Sequence, residues 1–205
     1  MKRLRFSAVS AVVSIGALLF TGTVVLSQSQ YPSNLLEQKG SFSAGAARAL
    51  GQPFRGVATS AGIVEGLFPI KSTGVSTMPI RVAAERFLAT LSTADLSRSH
   101  SAINAPEWRD WSNVDVGIFP RRGISLEDMS DSQKDAAWNL LAVALSAEGL
   151  EQTQNIMKTE QTLFELNGEP IRYGTEKYYF TMMGIPTADG PWGFQLDGHH
   201  LVVNY

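Results

Sequence analysis

The sequence predicts an α+β domain behind an N-terminal export signal or membrane-anchor helix. Three observations carry this. A charge-free stretch follows a basic N-terminus, the middle of the chain repeats apolar residues at helical spacing, and after Gly168 the apolar period shortens to two. Helices followed by strands is the order of a fold in which a helical layer covers an antiparallel sheet. At 205 residues the chain is long enough for one such domain with a substantial core.

The composition excludes several function classes. Hydrophobic residues make up 44% and charged residues 18%, ordinary for a globular chain, and the net charge is −2. Removing Lys2, Arg3 and Arg5 leaves −5 for a chain starting at Gln28. Arg121 and Arg122 form the densest basic spot, too little to track phosphates, so no nucleic-acid partner is expected. The absence of cysteine rules out disulfides, thiol nucleophiles, cysteine-ligated metals and a lipoprotein anchor.

The element order starts with Lys2, Arg3 and Arg5, followed by the charge-free residues 6–26, the layout of a secretory signal. Val25, Leu26 and Ser27 offer a cleavage site that leaves Gln28 first. An uncleaved anchor is the alternative, since about 20 apolar residues span a bilayer. Ser10, Ser14, Gly16, Thr21, Gly22 and Thr23 dilute the segment and favour cleavage. Either way the segment engages the export machinery or the membrane, and the remainder is expected in the periplasm or outside the cell. Residues 1–27 are thus the signal or anchor, 28–76 an irregular N-terminal segment, and 77–205 the α+β domain.

Residues 33–50 allow a helix with Leu35, Leu36, Phe42, Ala46 and Leu50 as apolar positions, although Gly40 and Gly45 weaken it. Residues 65–70 read as a short extended piece limited by Pro69. Residues 77–97 read as one helix, with Thr77 as cap, Pro79 in its first turn, and Ile80, Ala84, Phe87, Leu88 and Leu91 on one face. Trp108 and Trp111 lie in a loop that they are expected to seal onto the core. Ser130 and Gln133 form a capping-box pattern opening a helix that is apolar on several faces and ends at Gly149. Residues 150–166 form the next helix, and the two are expected to pack as an antiparallel hairpin.

Glu160 lies near the apolar line of that helix, with Leu150, Thr153, Met157 and Phe164. An exposed flanking carboxylate is one reading, and a buried acid facing the histidines is the other. Residues 177–183 then read as a strand. Residues 194–205 form either one long strand with a glycine bulge or two short ones around Asp197 and Gly198.

His199 and His200 are the residues most suggestive of chemistry. As neighbours in a strand they point to opposite faces, which is awkward for a single metal ion unless Gly198 distorts the chain. A divalent-metal site at His199 and His200 would need a third ligand, from His100, Glu160, Asp189 or Asp197. The structural alternative is a half-buried histidine bonded to a backbone carbonyl, and acid–base use is a third. The sequence holds no H-E-x-x-H, no phosphate-binding glycine loop, no G-x-S-x-G and no dinucleotide fingerprint. Glu127 with Asp128, and Asp131 with Asp135, sit at helix starts, where the helix dipole accounts for them.

Several segments occur together in one order. W-x-x-W is followed by FPRRGISLEDMSDSQ, then ALSAEGL, IMKTEQTL, EKYYFTMMGIP and PWGFQLDGHHLVVN. Over residues 83–205 this resembles the family known as domain of unknown function 3500, found mainly in bacteria, often behind a signal sequence. In the tail the family reads approximately Y-Y-F, F-G-x-P, P-W-G-W-R and E-G-H-H-L. Phe194 and Gln195 stand here where the family has tryptophan and arginine. Any anion or buried acid served by that arginine would lack its partner in this chain. Members tend to continue well beyond the His-His strand, which implies a C-terminally short member with an incomplete sheet and an edge open to a partner. The resemblance implies no defined activity and leaves any small-molecule ligand unnamed.

Two functions remain open at this point. One is a binding or structural module of the cell envelope, with its aromatics lining a groove. The other is a metal-assisted extracytoplasmic hydrolase with His199 and His200 as ligands and Glu160 or Asp197 as the acid.

Overall fold

A computed structural model describes residues 33–67 and 74–205. The signal or anchor segment predicted over residues 1–27 lies outside them, as does part of the extended piece predicted over 65–70. Among the described residues no helix is long and apolar enough to cross a membrane.

Helix α1 runs over Ser33–Leu50, as its apolar spacing predicts, and is followed by a two-stranded ribbon of β1 (Ala58–Thr59) and β2 (Gly62–Ile63). The helix predicted over residues 77–97 is two helices, α2 (Met78–Thr90) and α3 (Thr93–Ser99). Leu91 adopts an extended conformation, and Ser92 opens a reciprocal capping box with Asp95 that starts the next helix. Thr77 makes no side-chain cap bond. Strand β3 (His100–Ser101) follows, and a long loop with a 3-10 turn at Pro106–Arg109 leads to β4 (Ile124–Ser125).

Helix α4 (Asp131–Ala144) begins with the predicted box: Gln133 N–H bonds the Ser130 hydroxyl, and the Gln133 carboxamide oxygen accepts from Ser130 N–H. Its Ala137, Leu140 and Leu141 are buried while Val143 is exposed, so it has one core face rather than several. The α4–α5 junction falls earlier than the sequence predicts. Leu145 is extended, Ser146 caps α5 (Ala147–Asn167), and Gly149 lies inside the first turn of α5, donating its N–H to the Ser146 hydroxyl. Helix α4 packs mainly on α2 and meets α5 more sparingly. Gly168, in the left-handed conformation at φ 64°, ends α5.

Strands β5 (Tyr179–Met183), β6 (Gly193–Gly198) and β7 (Leu201–Asn204) form the antiparallel centre of an open sheet. β3 joins β5 in parallel and β4 joins it antiparallel, making the sheet mixed, with β7 at an edge. The fold is α+β with an incomplete sheet. Register sets its two faces. Phe180, Met182, Phe194 and Leu196 meet Phe87 of α2, Leu140 and Leu141 of α4 and Met157 of α5 in the core. Thr181, Gln195 and Asp197 alternate to the opposite face. There, bonds from the 102–123 loop reach β6, which explains why all six of its residues are buried. This division into a helical side and a loop side fixes which side chains can reach the hairpin turn.

Candidate metal centre

Glu160 lies on the inner line of α5 with Thr153 and Met157, spaced so that all three face inward. Facing it is the β6–β7 turn. Gly198 pairs with Leu201, so His199 and His200 are the two turn residues rather than members of a strand. His200 has φ 61°, a left-handed conformation that breaks the alternation of side chains and lets both imidazoles project the same way. Their rings stack with centroids 3.7 Å apart.

His199 Nδ1 lies 2.8 Å from Glu160 Oε1, and His200 Nδ1 lies 3.8 Å from the same oxygen. One ligating atom from each of the three residues falls within 4.8 Å of the others. Donors around a tetrahedral ion with bonds of about 2.0–2.1 Å sit about 3.3 Å apart, between the two measured separations. The 2.8 Å contact is short enough for a hydrogen bond but lacks its direction. Both Glu160 oxygens and His199 Nδ1 are buried without a hydrogen-bond partner. The atoms therefore converge as ligands of a common ion do. Glu160 is 1% exposed, and the two imidazoles are the polar groups beside its carboxyl.

Three further contacts hold the turn. Tyr178 donates its phenol hydrogen to the His199 carbonyl at 3.1 Å, and burial together with the Glu160 charge raises that phenol's pKa, keeping it a donor. Gly198 is required beneath it, because a Cβ there would lie 2.1 Å from the Tyr178 ring. His200 N–H donates to the Asn113 carbonyl at 3.0 Å. On the open side, the Tyr173 ring stacks beside His199 with centroids 6.0 Å apart, and the Arg172 guanidinium lies over Tyr173. Burial raises the Tyr173 phenol as well, against the pull of Arg172.

The family described as protein of unknown function (DUF3500) matches residues 73–205. The chain belongs to that family. Glu160, His199 and His200 all lie inside the match, whereas α1 and the β1–β2 ribbon precede it. No curated protein and no solved structure matches the chain. DUF3500 membership therefore establishes kinship and carries no chemistry with it.

In this DUF3500 member the expectation of opposed histidines is corrected, because the pair forms the turn. The Asp197–Gly198 hairpin signal is real but offset, with the turn falling on the next two residues. Glu160 is the buried acid of the two readings considered. Asp197, the other candidate acid, is on the loop side of β6, paired with Arg121 at 3.3 Å and outside the Glu160 cluster. Burial pushes its carboxyl up to about 6, against the pull of Arg121. His100 accompanies the Gly184 carbonyl at 2.7 Å, and Asp189 is exposed in a loop. Trp108 and Trp111 do not seal a loop onto the core. Both are exposed and line a cleft of about 380 Å³ with Ile103, Met183, Trp192 and Tyr205. Tyr173, Tyr178 and Asn113 escape sequence reasoning, although the alternation of the strand predicted over residues 177–183 marks one of the neighbours Tyr178 and Tyr179 as inward-facing.

Proposed function

We propose that this protein is an exported domain that holds a divalent transition-metal ion through Glu160, His199 and His200 and uses it for hydrolysis outside the cytoplasm. The observation that carries the reading is the Glu160 carboxylate, buried, without an aligned donor, and faced by two imidazoles. Two histidines with one carboxylate is a donor set of catalytic zinc sites, where three protein ligands leave a position for water or substrate. Exposure is graded across the three: Glu160 at 1%, the His199 side chain at 16% and the His200 side chain at 55%. The free position would thus lie on the solvent side, near His200 and Tyr173. An ion there would lower the pKa of its bound water and polarise a substrate carbonyl or phosphoryl oxygen. Export is supported by the basic start of the chain and the charge-free residues 6–26.

A second reading, a cell-envelope binding module, is favoured by the cleft lined by Trp108, Trp111, Trp192 and Tyr205 at the end of β6–β7 opposite the histidines. In that reading β7, an edge strand, also offers backbone groups to a partner.

Metal content and zinc titration of the purified protein decide between them, with Glu160→Gln, His199→Ala and His200→Ala as variants. The hydrolase reading expects one ion per chain and a loss of affinity of about 100-fold or more in each variant. Failure of the parent to bind zinc or any other first-row divalent ion would overturn it and leave the binding module.

A further inference from the structure

We propose that Arg121 and Asp197 form a buried clamp that positions His200, acting through the peptide of Ser112 and the carbonyl of Asn113. Every link is a direct contact. Arg121 Nε lies 3.3 Å from Asp197 Oδ1, with the Arg121 side chain fully buried and that of Asp197 nearly so. Arg121 Nη2 donates to the Ser112 carbonyl at 2.7 Å and also to the Val114 carbonyl. The Ser112 backbone N–H also favours the charged form of the Asp197 carboxyl. Through Arg121 the ion pair thus grips the carbonyls on either side of Asn113. The Asn113 carbonyl in turn accepts the His200 N–H at 3.0 Å.

The reason to look beyond stability is the quality of the pair itself. Burying two charges is expensive, and an apolar pair of similar volume often serves stability as well. Here Arg121 Nε and Nη1 and Asp197 Oδ1 make no aligned hydrogen bond, so the pair is not optimised as an isolated bridge. Its well-formed bonds go to residues 112–114, a stretch outside any helix or strand. That stretch supplies the acceptor for the backbone of a histidine held at φ 61°, a conformation that a β-substituted residue keeps only when its surroundings enforce it. Arg121 and Asp197 are positioning residues. They touch no ligand and act through the loop.

The clamp's hold on His200 is independent of any ion, whereas its consequence for metal affinity rests on the reading proposed above. The test therefore measures both, on the full chain. The main variant combines Arg121→Met with Asp197→Leu, replacing the pair by apolar groups. Arg121→Lys is the second, keeping the charge but losing the fork to the two carbonyls. In the metal-free protein, amide exchange at His200 is expected to accelerate about tenfold or more, with the β5 amides unchanged. Cobalt(II) affinity, followed by its visible spectrum, is expected to fall about 10- to 100-fold, the usual effect of removing groups that orient a ligand.

A folded variant with unchanged His200 exchange overturns the clamp. Faster exchange with undiminished cobalt affinity overturns its importance to the site. A parent that binds no cobalt but shows the accelerated exchange in the variant refutes the metal reading and sustains the clamp. If both variants fail to fold, the pair is a folding determinant and the positioning role is overturned.

Discussion

Asp115 and Glu160 are buried to nearly the same degree, 3% and 1% exposed, yet their surroundings have little in common. Asp115 receives a two-pronged contact from Arg172, with Nε 3.0 Å from Oδ1 and Nη2 2.8 Å from Oδ2, and accepts the Gly117 N–H at 3.0 Å. Its charge is neutralised and its lone pairs are used. Glu160 has two imidazole nitrogens nearby and no donor aligned on either oxygen. One carboxylate is completed by the chain that carries it. The other has only two imidazoles beside it, with no donor aligned on either oxygen. Equal burial therefore says little about role, and partner geometry is what distinguishes the two acids.

This contrast can be broken most forcefully at Asp115. Asp115→Ala leaves Arg172 without its main partner and is expected to lower stability by about 3 kcal/mol, the low end for a broken buried pair because Arg172 is partly exposed. Urea denaturation reads this directly. Gly198→Ala comes next. Its methyl group must displace the Tyr178 ring, so about 2 kcal/mol should be lost. Zinc affinity should fall with it, since the turn that brings both histidines to Glu160 would shift. A variant that loses stability yet keeps full affinity would show that the turn is not what organises the centre.

The Glu160 prediction is smaller and opposite in sign. Glu160→Gln keeps the size of a side chain on which no donor is aligned, so the metal-free protein is expected to be as stable as before or about 1 kcal/mol more stable. Denaturation in the presence of a chelator tests it. A loss as large as that of Asp115→Ala would mean that Glu160 and His199 form an internal ion pair, and the contrast would collapse.

Sequence reasoning reaches the two acids unequally. Glu160 stands out because it continues the inward line of Thr153 and Met157, a pattern that survives folding because helix geometry is local. Asp115 sits in a loop with no period, and its partner Arg172 is 57 positions away. The same limit hid the turn. Strand alternation, applied through His199 and His200, sends the rings apart, and only the left-handed backbone at His200 brings them together. A non-glycine residue in that conformation is not predictable from the Asp197–Gly198 signal beside it. The box at Ser130 and Gln133 was legible because its bonds are made within a few residues, whereas the helix end predicted at Gly149 was not, since Ser146 caps the next helix before it. The break at Leu91 was not, because apolar spacing continues across it and the Ser92–Asp95 box was masked by an unbroken helical pattern.

Asp95 extends the comparison to an acid that is neither isolated nor deeply enclosed. The Ser92 hydroxyl, and then the Arg98 guanidinium, hold its carboxyl down at about 2, below the ordinary 3.8. Because the folded value is depressed, the stabilisation is fully present above about pH 4 and is lost as the pH falls through about 2. At neutral pH, Asp95→Ala should cost about 1 kcal/mol, the usual worth of a helix cap. The difference from the parent should shrink across that acid window and vanish near its lower end, as followed by urea midpoints at each pH. Gln133 donates to both the Asp95 carboxylate and the Thr90 carbonyl, so the same acid ties the start of α4 to the α2–α3 break. Thr77, which makes no side-chain cap bond, is the control: Thr77→Ala should stay within about 0.5 kcal/mol of the parent at every pH. A pH-independent loss at Asp95 would assign its effect to helix packing and show that aligned donors alone do not make a carboxylate register acid.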